Sequence, residues 1–248
     1  MTGDTKSFLI NIAASLTIIF GTVFLSWAAR VQPARRLWGL PDSKKLYICI
    51  STSARTDTGA YIRLSSGLGQ IRALALLSPS LHRAYKDFDV QRVLMSDDKI
   101  ADRYESDLII LGGPKNNEIA RQVLEQLQPH LPGTLAEPNV TWHESSSVPP
   151  ITYAAIQTGD DLKEDYGVII RTTNPFNSKR KVLIFAGGHT YGTTAAARFF
   201  TSELSKFRPR YAFLGDFMAI VTAKVTDRHV SEPRLLHLKR LKKRKVTG

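Results

Sequence analysis

Two stretches of this chain share one grammar, DLIILGGPKNNEIARQVL (107–124) and KVLIFAGGHTYGTTAAARFF (181–200). In each, an unbroken apolar run ends in Gly-Gly, passes polar residues and opens a helix. A strand that is apolar along its whole length is buried on both faces, so it belongs in a parallel sheet covered by helices. LYICIS (46–51), VQRVLMS (90–96) and DFMAIVTAKV (216–225) read as further strands. GLGQIRALALL, from Gly67, reads as a helix interrupted near Pro79. DKIADRYES reads as a short polar helix. Asn116 to about Gln128 is amphipathic, with Ile119, Val123, Leu124 and Leu127 on one face. The helix after Gly188 aligns Ala196, Phe200, Leu204 and Phe207.

A β-rich insert, about residues 131–180, separates the two runs. VTWH, ITYAAI and YGVIIRT are its strands, and GDDLKED (159–165) reads as a hairpin loop that leaves Asp165 and Tyr166 solvated. Asn174-Pro175-Phe176-Asn177 reads as a turn. The expected fold class is α/β: a Rossmann-like (flavodoxin-like), mainly parallel sheet over residues 45–230, with helices on both faces and the insert, preceded by one transmembrane helix.

That helix is expected from Phe8 to Ala29, which carries no charge and suits a hydrocarbon core of about 30 Å. Trp27 fits an interface. Lys6 precedes the run, while Arg30, Arg35, Arg36, Lys44 and Lys45 follow it. The heavier positive flank places the N-terminus outside and the rest in the cytoplasm, a single-pass protein of the cell membrane. A cleaved signal peptide is the rival, with Ser26-Trp27-Ala28 as cleavage site, but the n-region MTGDTK is weakly basic. Residues 30–44 would then be a basic juxtamembrane linker, and 231–248 a basic tail.

The formal net charge of +12 implies anionic partners. Arg234, Lys239, Arg240, Lys242, Lys243, Arg244 and Lys245 crowd the tail and suit anionic lipid headgroups. Nucleic acid is disfavoured, because aromatic residues for base stacking are not interleaved. The single cysteine, Cys49, excludes an intrachain disulfide framework and reads as buried packing.

In parallel sheets ligands bind beyond the carboxyl ends of the strands. Three strand-to-helix junctions offer glycines, hydroxyls and free helix-start amides suited to a phosphate or carboxylate. The first holds Thr56, Asp57, Gly59, Ser66, Gly67 and Gly69; the second Gly112, Gly113, Lys115 and Asn116; the third Gly187, Gly188, His189, Thr190, Gly192 and Thr193. Each also reads as ordinary turn and capping chemistry. No P-loop, G-x-G-x-x-G or H-E-x-x-H fingerprint is present, no metal site is expected and no cofactor follows. His189 and Asp57 are the candidate acid–base groups.

SSGLGQIRALALLSPSLHRAY, DLIILGGPKNNEIAR, the stretch from DYGVIIRTTNPFN to AGGHTYGTTAAARFF, and GDFMAIVTAKVTD together resemble an uncharacterised prokaryotic family. The resemblance covers about residues 45–230 and implies a Rossmann-like domain, with no activity or catalytic residues to transfer. The layout is more loosely similar to flavodoxin-like and Toll/interleukin-receptor-like nucleotide sensors and effectors, without their flavin phosphate loop or catalytic Glu. The leading expectation is a membrane-anchored sensor or signalling domain binding a nucleotide-like or other anionic molecule. The alternatives are a nucleotide hydrolase or glycosidase and a ligand-free, membrane-held interaction module.

Overall fold

The two apolar runs form adjacent central strands. A computed structural model of the chain describes residues 3–41, 43–98, 101–145, 147–203 and 215–242. The chain opens with α1 (Gly3–Trp38), then β1 (Leu46–Ile50), β2 (Ala54–Asp57), β3 (Ile62–Ser65), α2 (Leu68–Ala84), β4 (Val93–Met95), β5 (Asp107–Leu111) and α3 (Glu118–Leu127). The insert supplies β6 (Gly133–Ala136), β7 (Asn139–Trp142), β8 (Ile151–Tyr153), β9 (Ile156–Thr158) and β10 (Asp161–Thr173). It is followed by β11 (Lys181–Gly187), α4 (Thr190–Arg198), β12 (Phe217–Thr226), β13 (His229–Val230) and β14 (Arg234–Arg240).

The main sheet runs β13-β12-β10-β11-β5-β1-β4, with β14 also on β12 and β9 on β10. From β4 through β1 and β5 to β11 the strands are parallel. β10 is antiparallel to both β11 and β12, so the sheet is mixed rather than mainly parallel. The cause is local: β10 reaches β11 through the short turn at 174–180, and such a connection permits only antiparallel pairing. Asn174 accepts from Phe176 N at 2.9 Å and its backbone N donates to Arg180 O at 2.9 Å, closing that turn.

Side-chain alternation divides the core. Ile109, Leu183, Phe185 and Phe217 face α2, α4 and the end of α1, while Cys49, Leu108, Ile110 and Ile184 face α3 and the three-stranded sheet β6-β7-β8. Trp38, Phe200 and Phe185 meet edge to face at centroid distances of 5.0 and 5.1 Å. Burying one such side chain contributes about 1.5–3 kcal/mol. Burial pushes the Cys49 thiol up to about 12, in keeping with a packing role.

Several expectations need correction. No helix among the described residues is long and apolar enough to cross a membrane, so the transmembrane helix and the single-pass placement with the N-terminus outside do not hold. A bilayer core requires ~20 consecutive, predominantly apolar residues. The sequence of α1 interleaves Asn11, Ser15, Thr17, Gly21 and Thr22, and continues without a break into Arg35 and Arg36. The segment expected as a linker is helical to Trp38, and its Ala34, Leu37, Trp38 and Leu40 are buried in the core. Gly39, at φ +66°, ends the helix in the left-handed conformation that glycine tolerates. Pro79 lies inside α2 and does not end it.

The expected polar helix is a 3-10 turn, Ala101–Glu105. The polar run 159–165 is a turn only at Gly159-Asp160; from Asp161 it is strand. The expected tail begins with β14, which pairs along β12. Ala196 and Phe200 are buried, whereas Leu204 and Phe207 lie outside the described residues.

Candidate functional site at the carboxyl edge of the sheet

Strand order reverses at β1. The chain goes from β1 to β4 on one side, then returns to β5 on the other. Beyond the carboxyl ends of β1 and β5 the connections diverge, and such a switch point is where an open α/β sheet leaves a crevice. All three junctions follow the carboxyl ends of strands in this parallel run: β1, β5 and β11.

A cleft of about 550 Å³ opens there, lined by Thr52, Ser53, Arg55, Ser96, Asp97, Lys115 and Asn116 together with the start of α3. That size is ordinary for a small-molecule site. Asn117 builds the wall. Its side chain accepts from Ala120 N at 3.0 Å, capping α3, and donates to Leu111 O at 3.2 Å and Cys49 O at 3.4 Å. One residue thereby ties the ends of β1 and β5 to the helix. Across the cleft, Asp97 accepts from Thr52 Oγ1 and, at 2.5 Å, from Arg55. Burial pushes the Asp97 carboxyl up, but the Thr52 and Arg55 bonds outweigh it and hold it below the usual range. Arg121 bonds Glu118 and Glu125. The lining carries Arg55, Lys115 and Arg121 against Asp97 and Glu118, a surplus of one positive charge.

Next to Thr52 and Ser53 of the cleft lies a tightly packed polar cluster. Gly112 has φ +102°, and a Cβ there would stand 2.9 Å from Ser51 Oγ and 3.0 Å from Gln70 Nε2. A Cβ at Gly67 would stand 2.5 Å from Gln70 Oε1 and 3.2 Å from Ser53 Oγ. Ser51 is 0% and Gln70 8% exposed. Ser51 Oγ, Ser66 Oγ and Gln70 Oε1 are buried without a hydrogen-bond partner. Gly67, the N-cap of α2, offers no side chain to the helix start. Leaving a buried polar group unsatisfied costs about 1–3 kcal/mol, so each of these atoms calls for an explanation.

The third junction is different. Two of its amides, His189 N and Gly192 N, are already taken by the carboxylate of Asp165, which is 1% exposed. Asp165 accepts from Tyr166 N at 2.8 Å, His189 N at 3.2 Å and Gly192 N at 2.5 Å. Burial raises its carboxyl above the usual range, while these backbone bonds and the nearby His189 oppose the rise. Asp165 is therefore not a solvated loop residue; it is an internal anion at the start of α4. Gly187, Gly192 and Gly167 serve close packing: a Cβ on Gly187 would stand 2.5 Å from the Gly192 backbone. Thr190 Oγ1 accepts from Gly69 N at 2.9 Å, so the helix that Thr190 opens also serves the first turn of α2. Thr193 is buried.

The first junction splits. Ser66, Gly67 and Gly69 sit at the α2 start, whereas Thr56, Asp57 and Gly59 lie exposed on the β2–β3 hairpin. The Asp57 carboxylate accepts from Gly59 N at 2.8 Å and closes the hairpin turn. At the second junction Glu137, from the β6–β7 turn, stands against Gly113 and accepts from Lys115 N at 3.4 Å. Burial raises its carboxyl, against the pull of Lys115 and His189.

Sequence reasoning missed Ser51, Gln70, Thr52, Asp97, Glu137 and Asp165. Only Ser51 and Thr52 carried a signal, as hydroxyls directly after an apolar strand. Among the described residues no three His, Cys, Asp or Glu side chains are grouped to hold a metal ion. No protein-family model matches the chain, and no curated protein matches it.

Proposed function

We propose that the chain is a Rossmann-like binding domain whose ligand is a small, phosphate-bearing, nucleotide-like molecule held at the β1/β5 switch point. One observation carries the reading. Ser51, Ser66 and Gln70 each carry a buried, unpartnered polar atom, and Ser51 and Gln70 meet at Gly112 next to residues that line an open cleft. The phosphate would sit by Gly67 and Gly112, toward the positive end of the α2 dipole. Lys115 would add charge, and Thr52, Ser53 and Asn116 would meet the polar remainder. Asp97 is held ionised and suits the hydroxyls of a ribose.

The test is calorimetric titration of nucleotides and dinucleotides into the chain, repeated with Gly112→Val. The substituted side chain would press against Ser51 and Gln70. Saturable binding lost in the variant supports the reading; binding that survives the substitution removes it.

A second reading, a hydrolase acting on the same ligand, is favoured by Glu137. Its raised carboxyl lies beside Lys115 and within electrostatic reach of His189, so Glu137 is better placed than Asp57 to give up a proton. Turnover of any nucleotide that Glu137→Gln abolished would favour this reading. Binding without turnover would leave the domain a sensor or carrier.

A further inference from the structure

A second pocket, of about 590 Å³, lies at the opposite edge of the sheet. It is built where β10 ends and β11 and β12 begin, Thr173 pairing with Lys181 and Arg171 with Phe217. The end of β14 joins it, since Arg240 pairs with Phe217. The last turn of α1 closes the remaining side.

Its lining carries five cations, Arg36, Arg171, Lys181, Arg240 and Lys242, against one carboxylate, Asp216. Arg171 and Asp216 are buried, Lys181 is half-buried, and Arg36, Arg240 and Lys242 are exposed, which gives a polar floor and a basic rim. The floor is internally bonded. Lys181 donates to Asp216 at 2.7 Å and to Thr173 Oγ1 at 3.1 Å. Among the described residues Arg171 meets no carboxylate directly. It donates to Gly215 O, at 2.8 Å from Nε, and to Arg36 O at 3.2 Å and Leu37 O at 2.5 Å. The guanidinium thus caps the end of α1, where the helix carbonyls carry partial negative charge.

Capping accounts for Arg171 and the ion pair for Lys181. Neither accounts for the three rim cations, which converge from the end of α1 (Arg36) and the end of β14 and the residues just beyond it (Arg240, Lys242). Among the described residues no carboxylate pairs with Arg36, Arg240 or Lys242. Like charges gathered over a buried guanidinium repel one another, and a multivalent anion relieves that repulsion. Guanidinium groups match phosphate oxygens in geometry as well as in charge.

We propose that this pocket, floored by Arg171, Lys181 and Asp216 and rimmed by Arg36, Arg240 and Lys242, binds a phosphate group. The site lies on the other edge of the sheet from the switch-point cleft and does not depend on it. The same chemistry is presented by a free phosphate ester and by the headgroup of an anionic lipid, and two probes separate them.

The full chain is titrated with pyrophosphate by calorimetry. It is also floated with phosphatidylcholine vesicles with and without phosphatidic acid. The rim variant is Arg240→Glu with Lys242→Glu, both exposed, which leaves the buried floor in place. A charge-matched control, Lys163→Glu with Lys224→Glu, alters exposed lysines at the other end of β10 and β12.

The proposal expects a saturable pyrophosphate site, weakened about tenfold or more in the rim variant and by less than about twofold in the control. Retention only on phosphatidic acid vesicles, lost in the rim variant alone, would also support the pocket and identify a lipid headgroup as the source. Equal weakening in both variants would reveal diffuse attraction to a basic chain and overturn the proposal. So would failure of both probes to bind.

Discussion

Asp165 is the side chain whose removal should cost the fold most for its size. It is 1% exposed and accepts from three backbone N–H groups, two at the start of α4 (His189 and Gly192) and one on its own strand (Tyr166). Asp165→Ala strands all three. At about 1–3 kcal/mol for each unsatisfied buried donor the gross loss is ~3–9 kcal/mol. Relief from burying a carboxylate offsets part of this. The net destabilisation should be about 3–4 kcal/mol, or a fall in Tm of roughly 6–16 °C at about 2–4 °C per kcal/mol for a chain of this size. Asp165→Asn keeps the shape and one carbonyl oxygen but turns an amide toward Gly192 N, and should cost about 2 kcal/mol.

The pH dependence has a definite sign. Burial raises the folded carboxyl above its unfolded value, so over the window between them the folded chain holds a proton that the unfolded chain has released. The contribution of Asp165 is fully present below about pH 4 and is lost as pH rises through the folded value. Urea denaturation followed by circular dichroism, from pH 4 upward, should show wild type losing stability relative to Asp165→Asn as pH rises. A loss below about 1 kcal/mol for Asp165→Ala, or a difference that grows with pH, would refute the capping argument.

Two other substitutions test the geometry of the edge. Asn117→Ala removes the α3 cap and the donor shared by Cys49 O and Leu111 O, and should lower stability by about 2–3 kcal/mol in urea denaturation; a change under ~1 kcal/mol would show that water replaces it. Gly69→Ala places a methyl group against the Thr190 backbone and should cost about 1–3 kcal/mol by forcing α2 from α4, whereas an unchanged Tm would show that the helices give way freely.

The centre of the fold was legible because its strands are apolar on both faces. The runs at Leu108–Leu111 and Val182–Ala186 could only be interior, and each leads through Gly-Gly to a helix. The orientation of β10 was not legible. It depends on the length of a turn rather than on the composition of the strand. β14 read as part of a tail because the basic run that follows it, Lys242 to Lys245, masked Leu235, Leu236 and Leu238, yet an edge strand needs only one partner and one covered face. The apolar N-terminal run resembled a membrane span by composition, but its helix runs on into residues that pack against the domain.

The site was partly legible for a similar reason. The junctions follow from strand order, and Gly67, Gly69, Gly112 and Asn116 stand there. What occupies them does not follow from local sequence. The acceptor for Gly192 N is Asp165, 27 residues earlier and inside a polar run. Gln70 reads as an ordinary helix residue until Gly112 and Ser51 are brought against it.

The central claim is that the buried cluster at the switch point is kept polar for a ligand, and Ser51→Ala tests it most directly. The variant removes an unpartnered hydroxyl and adds nothing. Its thermal stability is measured alone and with the nucleotide that binds the wild type. The account predicts opposite movements: the free variant is more stable by about 1 kcal/mol, a Tm higher by roughly 2–4 °C, and the ligand-induced rise shrinks. For wild type at 100 times the dissociation constant that rise is about 2.7 kcal/mol. A variant less stable on its own, with the ligand response intact, would show that Ser51 serves the fold and would contradict the account.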